Sequence, residues 1–509
     1  MVKNYLLLAC ALVSMNTFAQ KMANASKFAQ IINPSSLEKQ LTVIAGPEME
    51  GRNTPSAGLE KAAQYIESQF RSFGLKPGNN GSYRLYFDLE KDSTISLGLN
   101  MGGMDCTPWT DFTPYTPMPA KANLSFNEYI FVGYGIVDET RDDYKNVAVK
   151  GKLVIFLSGQ PEGFKSDKPR RESPVYIPNK IANAQKKGAA AVLVISENLM
   201  SQRMLNNLYK PKPDTAVAEN NTIPVFMIND NVVSKSGQSI SEIKAMVGKD
   251  VVDPIVRPIE TTIRYTSVRV TCKVRNVMGV VEGSDKKDEF LFVTGHYDHL
   301  GIDDKGQIYY GADDDGSGTV SVIQMAEAFA RAKKAGKGPR RTIVFMTVCG
   351  EEKGLWGSAY YSGHPVFPLD KTTADLNIDM IGRTDTERKT ADTLNYVYVI
   401  GHDKLSTDLQ QINESMNNQY TKLVLDYHYD DPKDPNKIYY RSDHYNFAKK
   451  GVPILFFYDG MLKADYHKPT DTVDKINFSL MAKRAQMVFY TAWNMANRND
   501  MLKRDLQLN

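Results

Sequence analysis

Potential metal ligands follow three separate predicted strands of this 509-residue chain. The apolar run Phe290–Thr294 leads into Gly-His-Tyr-Asp-His at 295–299, and the run Thr342–Val348 leads into Cys-Gly-Glu-Glu at 349–352. A third run delivers Asp379. Because ligands of open α/β sheets bind beyond the carboxyl ends of the strands, one site could collect all of these side chains.

Two further segments carry compatible side chains, GADDDGSG at 311–318 and Tyr466-His467. Two histidines and three carboxylates suit a pair of zinc ions, because imidazole and carboxylate are normal zinc ligands. A shared carboxylate would also screen the repulsion between the two cations. Two metals about 3.5–4 Å apart can activate one water and clamp both the attacking and the departing oxygen. The residue types therefore predict a two-metal hydrolytic site.

Two acidic residues have positions that favour supporting roles. Asp298, two residues after His296, is suited to hold the other ring nitrogen of that histidine and fix its tautomer. Glu351 stands beside the candidate ligand Glu352 but cannot point to the same place. Glu351 is therefore the natural general base for a metal-activated water.

Each of these segments has an ordinary explanation when it is considered alone. A His-x-Asp after a strand is usually a hydrogen-bonded pair, and Asp313–Gly318 is typical of a turn with a helix cap. Adjacent glutamates are usually solvated. Asp379 differs, because a carboxylate between Ile378 and Met380 would be costly to bury without a partner. The joint arrangement on successive strand ends favours a functional site.

The elements around these residues alternate between apolar runs and helical stretches. Further runs lie at Leu376–Ile381, Tyr396–Ile400 and Val452–Tyr458, with a helical stretch at Val320–Ala335. Buried strands that alternate with helices predict an α/β fold, with a mostly parallel central sheet and helices on both faces. Upstream, the spacing of apolar residues from Leu59 to Phe70 predicts an amphipathic helix that ends at Gly74.

The region between about 121 and 260 differs from the rest of the chain in its pattern of predicted strands and helices. Predicted strands lie at Tyr129–Val137, Lys152–Leu157 and Ala189–Ile195, with a helix at Ile181–Lys187. This pattern predicts a smaller α/β or β-rich domain inserted into the larger one. The alternative is that these strands extend the main sheet.

Taken together, the motifs resemble those of the M28 zinc aminopeptidases, the family of the Aeromonas and Streptomyces enzymes. Gly51-Arg52, Ala62-Ala63 and Gly74-Leu75 also resemble the N-terminal region of that family. The likeness extends over most of the chain. The matching segments are GHYDHLG at 295–301, GADDDGSG at 311–318, GEEKGLWGS at 350–358, NIDMIGR at 377–383, RSDHYNF at 441–447 and YHKPTDT at 466–472.

The resemblance implies a set of ligands for two Zn²⁺ ions. His296 and Asp379 would hold one ion, and Glu352 and His467 would hold the other. Asp314, the middle one of three aspartates, would bridge the two ions. In the family a cis peptide bond often follows this aspartate, which here would join Asp314 to Asp315.

The resemblance also implies roles around the metals. Glu351 would be the base and proton shuttle, and Asp298 would orient His296. Tyr466 matches a tyrosine that in one branch stabilises the oxyanion of the tetrahedral intermediate, and Arg441 matches a substrate-contacting arginine. Asp443 and His444 are expected to support the pocket.

The inserted region resembles a protease-associated (PA) domain, with YIFVGYGI at 129–136, VKGKLVIFLSG at 149–159 and KKGAAAVLVI at 186–195. The expected organisation is a discontinuous M28 peptidase domain at 24–120 and 261–509, with the PA domain at 121–260. Such domains are inserted in many secreted members of the family.

The first nineteen residues are typical of a secretory signal peptide. Lys3 precedes an apolar stretch from Tyr5 to Val13, and small residues end at Ala19. The chain is therefore expected to be periplasmic or secreted. An alternative is a lipoprotein acylated at Cys10, although the apolar region before Cys10 would be unusually short.

Composition excludes other classes of function. The 62 basic and 59 acidic residues give a formal charge of +3, too little to hold a phosphate backbone, so nucleic-acid binding is disfavoured. After residue 20 no apolar run reaches the roughly 20 residues that span a bilayer, so no membrane span is expected. Only three cysteines follow the predicted signal peptide, so disulfides are not expected to hold the fold together.

These observations predict an exported two-zinc metallopeptidase, an aminopeptidase that removes N-terminal residues from peptide substrates. One alternative is a carboxypeptidase or dipeptidase of the glutamate carboxypeptidase type, which would need a basic pocket for a terminal carboxylate. Another is a non-catalytic binding protein like the transferrin receptor. The intact set of candidate ligands argues against that last alternative.

Overall fold

The computed structural model describes residues 25–215, 222–235, 237, 239–247, 254–390 and 392–508. The predicted signal peptide at 1–19 and Cys10 lie outside these residues. The chain divides into two compact units. The first consists of the described residues up to Phe87 and from Lys273 onward, and the second is Asp88–Cys272. Both boundaries fall inside long strands, Arg84–Met101 and Thr261–Val281.

A large mixed sheet forms the centre of the first unit. From one edge its strands are Val424–Asp426, Tyr396–Ile400, Ile454–Tyr458, Thr372–Ile378, Lys286–His296, Arg341–Val348 and Thr261–Val281, the last through residues 277–281. The four strands from Ile454–Tyr458 to Arg341–Val348 run parallel to one another, whereas their two flanking neighbours are antiparallel to them. The predicted α/β class is confirmed.

The register brings the carboxyl ends of the central strands to the same edge. His296 pairs with Val348, and Thr294 pairs with Asn377 of Thr372–Ile378. Consequently, the residues that follow each strand emerge side by side. This edge is where the sequence motifs place their carboxylates and imidazoles.

Helices cover both faces of this sheet. The ring of Phe292 contacts those of Tyr361 and Phe447, while Phe345 contacts Phe329. Phe345 is in register with Val293, and side chains of successive strand residues point to opposite faces. The strands Arg341–Val348 and Thr372–Ile378 are accordingly buried along their whole length. The helices of this unit are Pro34–Ile44, Ala57–Phe73, Gly318–Lys334, Trp356–Gly363, Asp408–Met416, His444–Ala448 and Phe478–Asn497.

The second unit has a separate six-stranded sheet. Its strand order is Ile255–Arg257, Tyr129–Phe131, Leu153–Leu157, Ala191–Ile195, Val225–Ile228 and Phe112–Pro114. The four inner strands are parallel and the two edge strands are antiparallel to them. The strand Lys121–Phe126 pairs with Thr261–Thr266, and the helices of the unit are Ile177–Lys186, Gln202–Asn206, Asp230–Ser234 and Ile240–Val247. The strands predicted from Tyr129, Lys152 and Ala189 thus belong to this separate sheet and its core, whereas Lys121–Phe126 pairs with a strand of the main sheet.

Most predicted elements agree with the observed ones. The helix predicted to end at Gly74 spans Ala57–Phe73, and Gly74 caps it in the left-handed conformation. The prediction of a strand over Tyr129–Val137 was wrong in its length, because the strand ends at Phe131. Gly133 and Gly135 follow with φ of +61° and +67°, which no regular strand contains.

No helix in the described part of the chain is long and apolar enough to cross a membrane. The three cysteines there, Cys106, Cys272 and Cys349, are free thiols.

A buried arginine joins the loops at the carboxyl edge of the main sheet. Arg52 is fully buried and donates hydrogen bonds of 2.7–2.8 Å to four backbone carbonyls, those of Ile44, Tyr297, Tyr310 and Gly311. A guanidinium offers five N–H donors in a fixed plane, so one side chain can satisfy several separate loops. The loops that carry candidate ligands are thereby fixed to the N-terminal segment.

Replacing Arg52 by Met should destabilise the fold by at least about 3 kcal/mol, because four buried carbonyls lose their donors. Chemical unfolding of both proteins would measure the difference. The matched control is Arg71→Met, which removes an exposed arginine paired with Glu67 and should cost less than about 1 kcal/mol. Equal effects of the two substitutions would contradict the role assigned to Arg52.

Candidate metal centre

The candidate ligands meet at the carboxyl edge of the main sheet, within the first unit. His296 ends the strand Lys286–His296, and Asp379 directly follows Thr372–Ile378. Glu351 and Glu352 lie in the turn after Arg341–Val348. Asp314 lies in the irregular turn before the helix Gly318–Lys334, and His467 lies in a loop after Ile454–Tyr458.

One group of side chains surrounds Nε2 of His296. This nitrogen lies 3.3 Å from Asp314 Oδ1, 3.6 Å from Asp379 Oδ1 and 3.8 Å from Glu351 Oε2. His296 is 1% exposed. The ligand atoms of His296, Glu351 and Asp379 are close enough together to hold one ion.

A second group lies on the other side of Asp314. His467 Nε2 is 2.9 Å from Glu352 Oε2 and 3.2 Å from Asp314 Oδ2. His299 Nδ1 is 2.8 Å from Glu352 Oε1 and 3.8 Å from the same Asp314 Oδ2. The two carboxylate oxygens of Asp314 therefore face different groups, which is the geometry of a bridging ligand.

All five predicted ligands are thus gathered in the pairs that the sequence motifs imply. That they bind metal, and that Glu351 acts as a base, remain predictions. Sequence reasoning gave no role to His299, which the structure places in the second group. The signal was present in the motif His-Tyr-Asp-His at 296–299, but the direction of the loop after a strand cannot be read from the sequence.

Asp298 contacts His296 less directly than predicted. Nδ1 of His296 lies 3.1 Å from the backbone carbonyl of Asp298 and 3.7 Å from its carboxylate Oδ1. The carboxylate accepts hydrogen bonds from the backbone N–H of Glu351 and from the hydroxyl of Thr54. Asp298 therefore supports the loop of Glu351 as well as the ring of His296.

Two aspartates hold the turn that carries Asp314. Asp315 accepts hydrogen bonds from the backbone N–H groups of His296 and Met380, and so ties two strand ends together. Asp471 accepts from the N–H groups of Asp313 and Asp314. The peptide bond between Asp314 and Asp315 is cis, so that prediction is confirmed.

The site concentrates negative charge away from water. The ion pairs that the described residues make with Asp314, Glu351, Glu352 and Asp379 all come from histidines. Burial, together with the charges of Glu352 and Asp379, raises the pKa of Glu351 well above its usual value, although His296 acts in the opposite direction.

The adjacent carboxylates raise the pKa values of two histidines of the site. Burial alone would lower the pKa of His467, but Asp314 and Glu352 outweigh it and raise that pKa to about 10. For the same reason the pKa of His296 is raised well above its usual value. Burial opposes the shift at Asp314, yet the adjacent imidazoles hold its pKa well below the usual range.

The donor set fits divalent zinc. Asp314 Oδ2 and His467 Nε2 are buried without a hydrogen-bond partner, although they lie close together. Nitrogen and carboxylate ligands of one zinc ion bind at about 2.0–2.2 Å, which places them roughly 3–3.5 Å apart. A cation between these atoms would satisfy both of them and offset the carboxylate charge. The contacts of 3.3 Å from His296 Nε2 to Asp314 Oδ1 and of 3.2 Å from His467 Nε2 to Asp314 Oδ2 have this spacing.

A small pocket adjoins the first group. It encloses about 340 Å³, including its open mouth, and is lined by Glu351 and Asp379 together with apolar or aromatic residues. The latter residues are Met380, Ile438, Phe456, Tyr458, Leu462 and Tyr466. Arg441 also lines the pocket, and its Nη2 donates a 3.0 Å hydrogen bond to the hydroxyl of Tyr466.

Tyr466 and its neighbours connect this pocket to the second group. The ring of Tyr466 stacks on His467 with 3.8 Å between centroids. Burial and the charges of Asp314 and Glu352 raise the pKa of Tyr466, so its hydroxyl keeps its proton. Asp443 and His444 are both buried; Asp443 accepts a hydrogen bond from the hydroxyl of Ser358, and the ring of His444 is hydrogen-bonded to the carbonyl of Tyr439.

A third His and Asp group lies away from this site. His402, Asp403 and Asp430 are close enough together to hold an ion. However, Asp430 already accepts hydrogen bonds from the ring of His402, from two backbone N–H groups and from Lys404. This group therefore serves to fix the loop after Tyr396–Ile400.

Binding of a divalent cation should strengthen as pH rises from 6 to 8. Ligation requires neutral imidazole, and the pKa of His467 near 10 means that a cation must displace a proton. We expect the affinity for the cation to rise roughly tenfold per pH unit for each proton that binding releases. Chelator competition at several pH values measures it, and an affinity that does not vary over this range would contradict the assigned ligands.

Comparison with known proteins identifies two regions of the chain. Residues 276–492 match Peptidase family M28, and residues 126–235 match the PA domain. The match to M28 includes every predicted ligand from His296 to His467. The match to the PA domain lies within the second unit.

Individual relatives agree with this assignment. The chain is 26% identical over 275 residues to a "Probable leucine aminopeptidase" of Arthroderma otae, a match that covers 53% of this chain and 68% of that protein. In another curated relative, 31% identical over 143 residues, the match covers only 20% of that protein's own length.

Solved structures share the fold along nearly the whole chain. An aminopeptidase from Aneurinibacillus sp. strain AM-1 is similar with a TM-score of 0.56 at 17% identity, covering 95% of this chain and 100% of that one. A zinc aminopeptidase from Bacillus subtilis gives 0.54 at 18% identity, covering 94% and 98%.

Proposed function

The chain belongs to the zinc-dependent metallopeptidases of family M28 and carries a PA domain, and we propose that it is an aminopeptidase that uses two zinc ions. The observation that carries this proposal is the position of Asp314 between two groups of histidine and carboxylate. His296, Asp379 and Asp314 would hold one ion. His467, Glu352 and Asp314 would hold the other.

When bound, two zinc ions would polarise a substrate carbonyl and lower the pKa of water. Glu351 is the acceptor for the proton of the attacking water, because it is buried beside the first group and its pKa is raised. As the water oxygen bonds to the peptide carbon and the C–N bond breaks, Glu351 returns the proton to the departing amine. The products are a free amino acid and a peptide shortened by one residue.

We propose that Tyr466 stabilises charge on the carbonyl oxygen. Its hydroxyl accepts a hydrogen bond from Arg441, so its own proton is available for the substrate. The raised pKa of Tyr466 keeps that proton in place. A donor aimed at a developing oxyanion typically contributes about 10²–10³ in kcat.

The adjoining pocket supports selection of apolar N-terminal side chains. Its walls include Met380, Ile438, Phe456 and Leu462, and it opens beside Glu351. Burial of an aliphatic side chain in such a pocket is favourable by roughly 1.5–3 kcal/mol. A substrate with leucine at its N-terminus fits this lining better than one with aspartate.

Arg441 gives the carboxypeptidase alternative a specific basis. Its guanidinium lines the same pocket and could pair with the terminal carboxylate of a peptide. However, its Nη2 already bonds to Tyr466, and its side chain is partly solvent-exposed. The two alternatives make opposite predictions for substrates blocked at one end.

We also propose export of the chain, on the basis of residues 1–19. A mature protein that begins at Gln20, detected by mass spectrometry, would agree with this proposal.

A panel of peptides with free or blocked termini tests the proposed activity. We expect cleavage of Leu-peptides with a free amine, little cleavage of Asp-peptides, and none after N-acetylation. A chelator should abolish turnover, and zinc should restore it. Cleavage that requires a free carboxyl terminus but no free amine would support the carboxypeptidase alternative instead.

Replacing Glu351 by Gln should lower kcat by about 10²–10⁴, because the amide cannot accept the proton of water. The zinc content should stay at two ions per chain. Glu387→Gln, which changes an exposed glutamate, is the control and should keep full activity. Near-normal turnover in the Glu351 variant would show that the base has been assigned to the wrong residue.

A further inference from the structure

His299 is held in place by backbone on two sides. It is fully buried, and its N–H donates a 3.2 Å hydrogen bond to the carbonyl of Arg52. Its ring packs on Gly311, where φ is +55° and a Cβ would lie 2.5 Å from Cγ of the histidine. Because only glycine fits there, the ring has little freedom to turn. Nδ1 consequently has a defined direction, toward Glu352.

The contact between His299 and Glu352 requires a proton. Nδ1 lies 2.8 Å from Oε1 of Glu352, and an ionised carboxylate oxygen can only accept a hydrogen bond. Nδ1–H is thus the donor in the neutral ring. The other oxygen of the carboxylate, Oε2, lies 2.9 Å from His467 Nε2. Each oxygen of Glu352 therefore has a different imidazole as its neighbour.

The remaining nitrogen of His299 argues against direct ligation. Metal-ligating histidines almost always donate their second ring N–H to an acceptor. His296 follows this rule, since its Nδ1 lies 3.1 Å from the carbonyl of Asp298. Nε2 of His299 is buried and has no hydrogen-bond partner. If Nδ1 bound a metal, the proton would move to Nε2 and become an unsatisfied buried donor.

We propose that His299 is a positioning residue that sets how Glu352 meets the cation. By donating Nδ1–H to Oε1, it leaves Oε2 alone to face the cation, beside His467 and Asp314. A carboxylate held in this way binds through one oxygen and leaves a coordination position for water or substrate. The inference rests on the proposed zinc pair and adds a residue that touches neither zinc nor substrate.

Zinc titration of the metal-free protein tests this assignment with three variants. His299→Leu removes the donor, whereas His299→Asn keeps an N–H close to the position of Nδ1. His299→Gln moves the N–H about one bond further along the side chain. His428→Leu, at an exposed histidine, is the matched control. The readouts are zinc bound per chain at saturation, zinc affinity by chelator competition, and the absorption spectrum after loading with Co²⁺.

His299→Leu should still bind two zinc ions at saturation, with one of them 10–100-fold weaker. His299→Asn should restore affinity to within about threefold of the wild type, and His299→Gln should not. The Co²⁺ spectrum should keep its intensity in the Asn variant, because no ligand is lost. If His299→Leu fails to fold, the difference between Asn and Gln decides the question.

Four results would overturn the inference. Unchanged affinity in His299→Leu, or equal affinities of the Asn and Gln variants, would show that the hydrogen bond does not matter. Loss of one zinc ion at saturation in both the Leu and Asn variants would make His299 a ligand. A wild-type chain that binds no zinc would overturn the proposed function together with this inference.

Discussion

Four carboxylates share one buried region at the carboxyl edge of the main sheet, and neutralising them is the constraint on which the rest of the site depends. Charges of like sign in a low-dielectric region repel strongly unless cations or protons intervene. Among the described residues, histidines lie next to these carboxylates. The pKa values of two of them are raised because the neighbouring carboxylates favour protonated imidazole. A divalent cation on each side of Asp314 would neutralise more of the carboxylate charge than the histidines do. The surrounding hydrogen bonds can then be understood as the means of holding these charges close together.

Charged side chains hold the site in place, mainly through hydrogen bonds to backbone groups. Arg52 satisfies four carbonyls from three segments of the chain, and Asp315 and Asp471 accept N–H groups from the turns that carry ligands. Buried charged groups persist only when they are fully hydrogen-bonded, so each of them specifies a single arrangement of its loop. The ligands therefore project from strand ends and turns that have little freedom to move. That rigidity suits a site in which misplacement by about 1 Å has a large effect on rate.

The sequence was sufficient to predict most of the central strands and the meeting of the candidate ligands at one edge of the sheet, because both depend on local patterns and on strand ends that must converge. His299 could not be predicted, since the path of the loop after His296 depends on contacts with Gly311 and with Arg52, which lies far away in sequence. The roles of Asp315 and Asp471 were hidden for a similar reason: a carboxylate that accepts backbone N–H groups looks the same in sequence as one that binds metal. The strand from Tyr129 was predicted too long because two glycines with positive φ end it.

The spread of the ligands along the chain has a consequence for the order of events in folding. The candidate ligands extend from residue 296 to residue 467, and the central strands that carry them pair in an order different from that of the chain. No short fragment contains a complete group, and neighbouring strand ends meet only after long-range pairing, which is a slow step in folding. Uptake of metal can therefore be completed only late, after the core strands have assembled. A fully loaded site would then be a marker of finished tertiary structure, and partly assembled chains would compete poorly for the ion.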